Sequence, residues 1–173
     1  MKNQSVFGLF YLVAFLAIVP SACGAGSPGS QSFLGTPRLQ SSMAPSAQTV
    51  KELLYVSDGI RYTVHVFNYQ TGATLGTLRG FGNPSGECVD ANGDVYIGSG
   101  SLNLIVEYAH GGNTPLQTLY LDGSPIACSI SPKGDLAVAN GRTPSGGGDV
   151  DIFRYASGGP SPYANASCYT LYG

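Results

Sequence analysis

The sequence has no tryptophan and two histidines. Lysine, arginine, aspartate and glutamate make up only 10% of its 173 residues. Eight basic residues against ten acidic ones leave a formal net charge of −2. Such a chain carries no basic field able to hold nucleic acid or an anionic membrane surface. Its four cysteines form no Cys-x-x-Cys pair and lie near no pair of histidines, so a zinc-ligand pattern is absent. No Ser-His-Asp grouping stands out. The glycine run Gly146-Gly147-Gly148 leads into a strand-like segment and not a helix, which removes a phosphate-cradling loop. The one long apolar run, Val6 to Val19, has fourteen residues, short of the roughly 20 that a spanning helix needs.

Turn formers and tyrosine are abundant, with 25 glycines, 11 prolines and 11 tyrosines. Low charge with many turn residues points to an all-β protein. The apolar run follows the positive Met1-Lys2 start and has the length of a signal-peptide core. Pro20-Ser21-Ala22-Cys23-Gly24 comes next. Small residues before a cysteine resemble a lipobox, with Cys23 as the lipidation site, although Pro20 stands where lipoboxes usually carry leucine. Ordinary secretory cleavage near Ala22 and an uncleaved anchor are the other readings. Residues 1–23 are thus expected to be a signal peptide. Residues 24–50, rich in Gly, Ser, Pro, Gln and Ala, are expected to be a flexible tether.

Self-comparison of residues 51–173 reveals a repeat. Gly82-Asn83-Pro84 through Gly93-Asp94-Val95 aligns without gaps on Gly123-Ser124-Pro125 through Gly134-Asp135-Leu136, at an offset of 41. The same offset carries Val95-Tyr96-Ile97 back onto Leu54-Tyr55-Val56. A second landmark occurs three times: Val64-His65-Val66-Phe67, Ile105-Val106-Glu107-Tyr108 and Val150-Asp151-Ile152-Phe153, each followed by a glycine turn. A period near 40 holding four short strands is a β-propeller pattern. One unit reads as strand a at Glu87–Asp90, b at Asp94–Ser99, c at Leu104–Tyr108 and d at Leu116–Leu121. The three blades fall near 53–81, 82–122 and 123–173. Shifting strand a back by one repeat lands on Gln48-Thr49-Val50, which lacks the Gly-x-Pro and Gly-Asp frame, so the first blade is expected to lack its inner strand. About eleven strands result, an incomplete or open propeller. Three readings follow: a fragment of a longer propeller, two copies joined as a homodimer that completes a ring, or an open three-bladed fold.

The segment Val89-Asp90-x-x-Gly93-Asp94-Val95-Tyr96-Ile97 is similar to NHL-repeat and SMP-30/gluconolactonase-like propellers. With Pro84-Ser85-Gly86-Glu87-Cys88 and Ile105-Val106-Glu107-Tyr108-Ala109-His110-Gly111-Gly112 it also resembles a group of bacterial propeller lipoproteins. The resemblance to gluconolactonase-like enzymes implies calcium or another divalent metal held in the central channel. The nearest candidate ligands are Glu87, Asp90 and Asn140. Against this, Glu87 and Asp90 become Cys128 and Ser131 one repeat later. Cys88 and Cys128 sit on opposite faces of equivalent strands, so their sulfurs point either at one another between blades or directly apart. A disulfide, two small buried residues and a metal site all remain open there. Cys168 is left over. His65 is expected at a surface or blade contact, and His110 in an exposed turn.

These residues point to an exported module of the cell envelope, lipid-anchored or secreted, that binds or scaffolds without catalysis or cofactor. An envelope protein or a small ligand is the expected partner, and the membrane is met only through the N-terminal lipid. A metal-dependent hydrolase and a truncated fragment without independent function are the alternatives.

Overall fold

The computed structural model describes residues 40–144, 146–154, 156 and 166–170, with only the backbone of 166, 167 and 170. The expected signal peptide, Cys23 and the first part of the tether lie outside these residues. The described chain is all-β, with three four-stranded antiparallel sheets. The second blade has the meander order β5 (Pro84–Val89), β6 (Val95–Ser99), β7 (Leu104–Tyr108), β8 (Pro115–Tyr120). The third repeats it with β9 (Ser124–Ile130), β10 (Leu136–Arg142), β11 (Asp149–Phe153) and β12 (Ala166–Thr170). The first holds strands b, c and d as β2 (Leu53–Asp58), β3 (Thr63–Asn68) and β4 (Thr74–Arg79). Its fourth strand is not the inner one. β1 (Ser42–Met43) pairs with the outer edge of β4, Ser42 opposite Thr77. The inner place beside β2 is empty among the described residues.

Local chemistry sets the hairpins. The Asp90 carboxylate accepts from the backbone N–H of Asn92 (2.8 Å) and Asp94 (2.9 Å), closing the a–b turn, while Gly93 supplies the positive φ of 89°. Ser131 and Gly134 repeat this turn in the third blade, with the Ser131 hydroxyl accepting from Asp135 N–H at 3.1 Å. Strand a starts at Pro84, three residues earlier than the sequence reading. Gly86, at φ 60°, forms a bulge between Ser85 and Glu87 that lets pairing continue past the irregularity. Proline is tolerated there because it opens the strand.

Side-chain alternation then glues the blades. Val95, Ile97, Val106 and Tyr108 of the second blade pack against Val64, Val66 and Leu78 of the first. Tyr96, Ile105 and Leu119 point the other way and pack against Leu136, Val138 and Phe153 of the third. Each such side chain, once fully buried, contributes about 1.5–3 kcal/mol. The inner strands approach closely: a Cβ on Gly86 would sit 2.6 Å from Ala127 Cα. Cys88 and Cys128 face one another across this gap and are bonded, with Cα atoms 5.7 Å apart.

The tether reading needs correction over its last residues. Gln40–Val50 does not hang free. Beyond β1, Pro45–Thr49 forms a turn of 3-10 helix with Ala47 buried. Ala47 rests on Gly111, where an added Cβ would meet its carbonyl carbon at 2.5 Å. Backbone pairing to β4 and this glycine platform hold the segment, and neither shows as hydrophobic periodicity. Pro45, which reads as tether composition, here opens the helix.

The inter-blade disulfide closes a loop with a sequence separation of 40. Chain-entropy loss in the unfolded state makes that worth roughly 4 kcal/mol. The double variant Cys88→Ser/Cys128→Ser is expected to lose about that much in urea unfolding at matched pH; a loss under about 1 kcal/mol contradicts the estimate.

Candidate functional site

The three residues suggested as channel ligands are engaged in separate tasks. Glu87, on β5, accepts a short hydrogen bond from the Ser57 hydroxyl of β2, linking the first two blades. Asp90 closes its own turn, as above. Asn140 lies in the second half of β10 and is buried (3% exposed) on the face toward the second blade. The structure brings it together with two residues that sequence reasoning passed over, Asp149 and Asp151 of β11.

Asn140 Nδ2 donates to Asp149 Oδ1 at 2.7 Å and to Asp151 Oδ2 at 2.8 Å. Both aspartates are buried. They stand at i and i+2 and therefore share one strand face. Asn140 lies directly opposite Asp149, and Val138 opposite Asp151. The Cys168 sulfur lies 3.2 Å from Asp149 Oδ2. Cys168 is disulfide-bonded, and its partner sulfur lies outside the described residues. Burial pushes the Asp151 carboxyl up to about 6; the Asn140 amide works against that, and the charges of Asp149 and Asp122 add to it. Asn140 Oδ1 is buried with no hydrogen-bond partner among the described residues. The signal available in the sequence was Asp-Val-Asp, a charge pair on one face of a strand whose second-blade counterparts, Leu104 and Val106, are apolar.

A second polar network lies one strand away, between the same two blades. The Tyr96 hydroxyl, fully buried, donates to Glu107 Oε1 at 2.8 Å. Gln117 Nε2 donates to Glu107 Oε2 at 2.5 Å and to the Ala156 carbonyl at 2.8 Å. Burial raises the Glu107 carboxyl above its ordinary value, opposed by the Tyr96 and Gln117 hydrogen bonds and reinforced by Asp94 and Asp90. Asp90, Asp94 and Glu107 bring one oxygen each within 4.8 Å of the others. Their oxygens are already committed: Asp94 Oδ1 accepts the His110 N–H at 3.0 Å, and Asp90 and Glu107 serve the contacts given above.

His110 is no exposed filler. Its Nε2 lies 2.7 Å from the Val50 carbonyl, so the ring pins the N-terminal segment to the second blade. Tyr55 of the first blade accepts the Gly111 N–H through its hydroxyl at 3.3 Å, tying the first blade to the same turn of the second. Together with Tyr69, Val89 and Lys51 they line an open groove of about 460 Å³. His65 lies half-buried on the outer face of the first blade, 3.3 Å from Thr63 Oγ1, 3.4 Å from Thr77 Oγ1 and 4.0 Å from Asp58 Oδ2.

No protein-family model matches the sequence, and no curated protein is similar to it. The fold is similar to that of solved propellers. A chain of the Kuenenia stuttgartiensis hydrazine synthase superposes with a TM-score of 0.54 at 15% identity, covering 74% of this chain and 36% of that one. The β-propeller domain of Myceliophteria thermophila Cps50 (Swd1) gives 0.51 at 10% identity, covering 78% and 39%. The dihydro-heme d1 dehydrogenase NirN, in complex with DHE, gives 0.52 at 14% identity, covering 76% and 27%. The chain spans about a third of the length of these neighbours. At such identities the likeness establishes the propeller fold and nothing of activity.

Glu107 yields a pH test. A carboxyl whose folded value is raised binds its proton more tightly folded than unfolded. Its contribution to stability is full in acid and is lost as pH rises from the unfolded value through the folded one. In Glu107→Gln that loss disappears, because the amide can accept from Gln117 and donate to the rotatable Tyr96 hydroxyl. The variant should therefore gain on the wild type in urea midpoint between about pH 4 and pH 7. A constant difference across that range contradicts the assignment.

Proposed function

We propose that this chain acts as an exported, non-catalytic propeller arc, a binding or scaffolding module held at the cell envelope. The observation that carries this reading is the covalent bridge between blades, Cys88–Cys128, joined to an N-terminal apolar run of signal-peptide length. Disulfides persist in oxidising compartments and are rare in the cytosol. The non-catalytic part rests on how the polar side chains are used. Glu87, Asp90, Asp94 and Glu107 each close a turn, join strands or tie one blade to the next.

The end sheets supply binding surface. On the first blade Leu54 and Val56, each 42% exposed, face away from the second. On the third, Ile152, Ala137 and Tyr169 line an open hollow of about 460 Å³. Closed propellers have 4–8 blades, so the chemistry that suits both faces is another short apolar sheet. A second copy of this chain would present such sheets. The resemblance to gluconolactonase-like hydrolases gains no support from Glu87, Asp90 and Asn140, which are occupied in three separate places.

Attachment to the envelope would run through Cys23. One sulfur cannot carry both a lipid thioether and a disulfide, so palmitate on Cys23 and a Cys23–Cys168 bridge are exclusive outcomes of one experiment. In cells fed labelled palmitate, the wild type should take up label and sediment with membranes, and Cys23→Ser should do neither. An unlabelled chain recovered from the medium with four oxidised cysteines means secretion without an anchor. An unprocessed, fully reduced chain in the cytosol overturns the export reading. Lactone hydrolysis by the purified chain overturns the non-catalytic one.

A further inference from the structure

We propose that Arg61, Tyr62 and Arg79 form a binding site for a small carboxylate with a planar apolar body, at the end of the first blade where it meets the second. The site gives a ligand class to the binding module proposed above and rests on that reading. A cavity, a gathering of cations and a strained tyrosine carry it.

The cavity measures about 280 Å³. Arg61 and Tyr62 come from the turn between β2 and β3, and Arg79 from the end of β4. Phe81 of the connector and Leu102 of the second blade's matching turn complete its lining. Phe81 is 7% exposed, with its ring 6.3 Å from that of Tyr108, and gives the cavity an apolar wall tied to the core. Tyr62 and Leu102 are exposed, so their apolar surface is open to a ligand. The turn itself is fixed. Asp58 accepts from the backbone N–H of Ile60 at 3.0 Å and of Arg61 at 2.9 Å. A Cβ on Gly59 would stand 2.9 Å from Asn83 Oδ1 of the connector, so the turn rests against it.

The chain has eight basic residues, and two of them line this one cavity. Arg61 Nη1 donates to Asp58 Oδ2 at 2.9 Å, which leaves the other donors of its guanidinium uncommitted to that carboxylate. Arg79 takes part in none of the ion pairs among the described residues. None of the described residues that line the cavity is acidic. Two guanidiniums against the single Asp58 carboxylate leave an excess of positive charge. A guanidinium is a planar fork that matches carboxylate and phosphate alike. The apolar lining decides between them, since Tyr62, Phe81 and Leu102 reward a ligand with an apolar body and a bare hydrated phosphate gains nothing from them.

The second blade serves as a control within the same chain. Thr63 lies opposite Arg79 as Leu104 lies opposite Tyr120, which makes Leu102, Asn103 and Tyr120 the counterparts of Arg61, Tyr62 and Arg79. Asn103 has φ 52° and Tyr62 has φ 57°. The turn therefore calls for a left-handed residue at this place. Asparagine adopts that conformation readily, whereas in a bulky side chain it is an outlier. The blade forms without arginine at either flanking position and without tyrosine at the strained one. Strain of this kind collects at ligand clamps, and here it sets an aromatic ring beside two cations.

The test titrates the mature, oxidised chain with sodium benzoate by calorimetry. Saturable binding of one benzoate per chain is expected, with a Kd on the order of 1 mM, weakening as sodium chloride is added. Benzamide has the same shape without the charge and should bind at least about ten-fold more weakly. Inorganic phosphate should also bind more weakly than benzoate. Arg79→Gln should lose at least about ten-fold in benzoate affinity, and Arg79→Lys should recover only part of it. Tyr62→Asn, which installs the second blade's residue, should raise the urea midpoint and weaken benzoate binding; a purely structural tyrosine would move stability alone. Three results overturn the proposal: folded wild type without saturable benzoate binding up to about 20 mM, benzoate affinity unchanged in Arg79→Gln, or benzamide or phosphate binding as tightly as benzoate. Export, anchoring and the lack of catalysis are read by the labelling and hydrolysis experiments, so failure of this site is distinguishable from failure of the module.

Discussion

A sheet of four short strands has two apolar faces, and water is excluded from them only when other sheets lie against both. The second blade meets that condition. Its Val95 and Ile97 are buried on one side, its Tyr96 and Ile105 on the other, all at 1% exposure or less. The rest of the structure follows from this stacking. Register must be kept along every strand, since a slip of one residue exchanges the two faces. The inner strands must approach, so Gly86 stands where any side chain would collide with the backbone at Ala127. The Cys88–Cys128 bond fixes across that same gap what packing already favours.

Stacking also sets the terms for polar groups. Any hydroxyl or carboxylate on an inner face loses water and must find a partner. Tyr96 and Glu107 satisfy one another, and Ser99 answers the backbone of a connector. Glu87 reaches Ser57 across the first interface. In each case the polar pair ties two strands or two blades and leaves the apolar contacts intact. The cluster of Asn140, Asp149 and Asp151 follows the rule only in part, because the amide satisfies the carboxylates while its own oxygen goes without.

The repeat was legible because its signals are local. Gly-Asp after a turn, alternating apolar residues and the Val-x-Val-Phe landmark all act within a few positions of one another. The faces that Val95 and Tyr96 take up follow from alternation alone. What was not legible depends on distance or on direction. β1 is two residues long and pairs by backbone with a strand over thirty positions away, so its sequence carries no pattern. The bulge at Gly86 hid the true start of strand a. The cysteines left a disulfide, two small buried residues and a metal site open, because alternation places them on opposite faces but does not say which faces meet. His110 read as turn filler because its partner is a backbone carbonyl sixty residues upstream. Asp149 and Asp151 were in plain view. They gained meaning only once their face was known to point inward, away from solvent.

A propeller's scaffold is shared by proteins as different as a hydrazine synthase and a dihydro-heme d1 dehydrogenase, so the fold by itself assigns no task. What distinguishes one propeller from another lies where it departs from its own repeat. In this chain departures gather at two places besides the Arg61-Tyr62 turn. One is the N-terminal segment, which crosses from β4 to the His110 turn and pairs with the outer edge of β4, not with β2. The other is the third blade's long connection from Asn140 to Asp149, flanked at both ends by residues of the buried cluster. Its glycine-rich stretch is longer than the Gly100-Ser101-Leu102-Asn103 turn that serves the same purpose in the second blade. Packing accounts for neither the added length nor the added carboxylates, and both stand at the same end of one sheet.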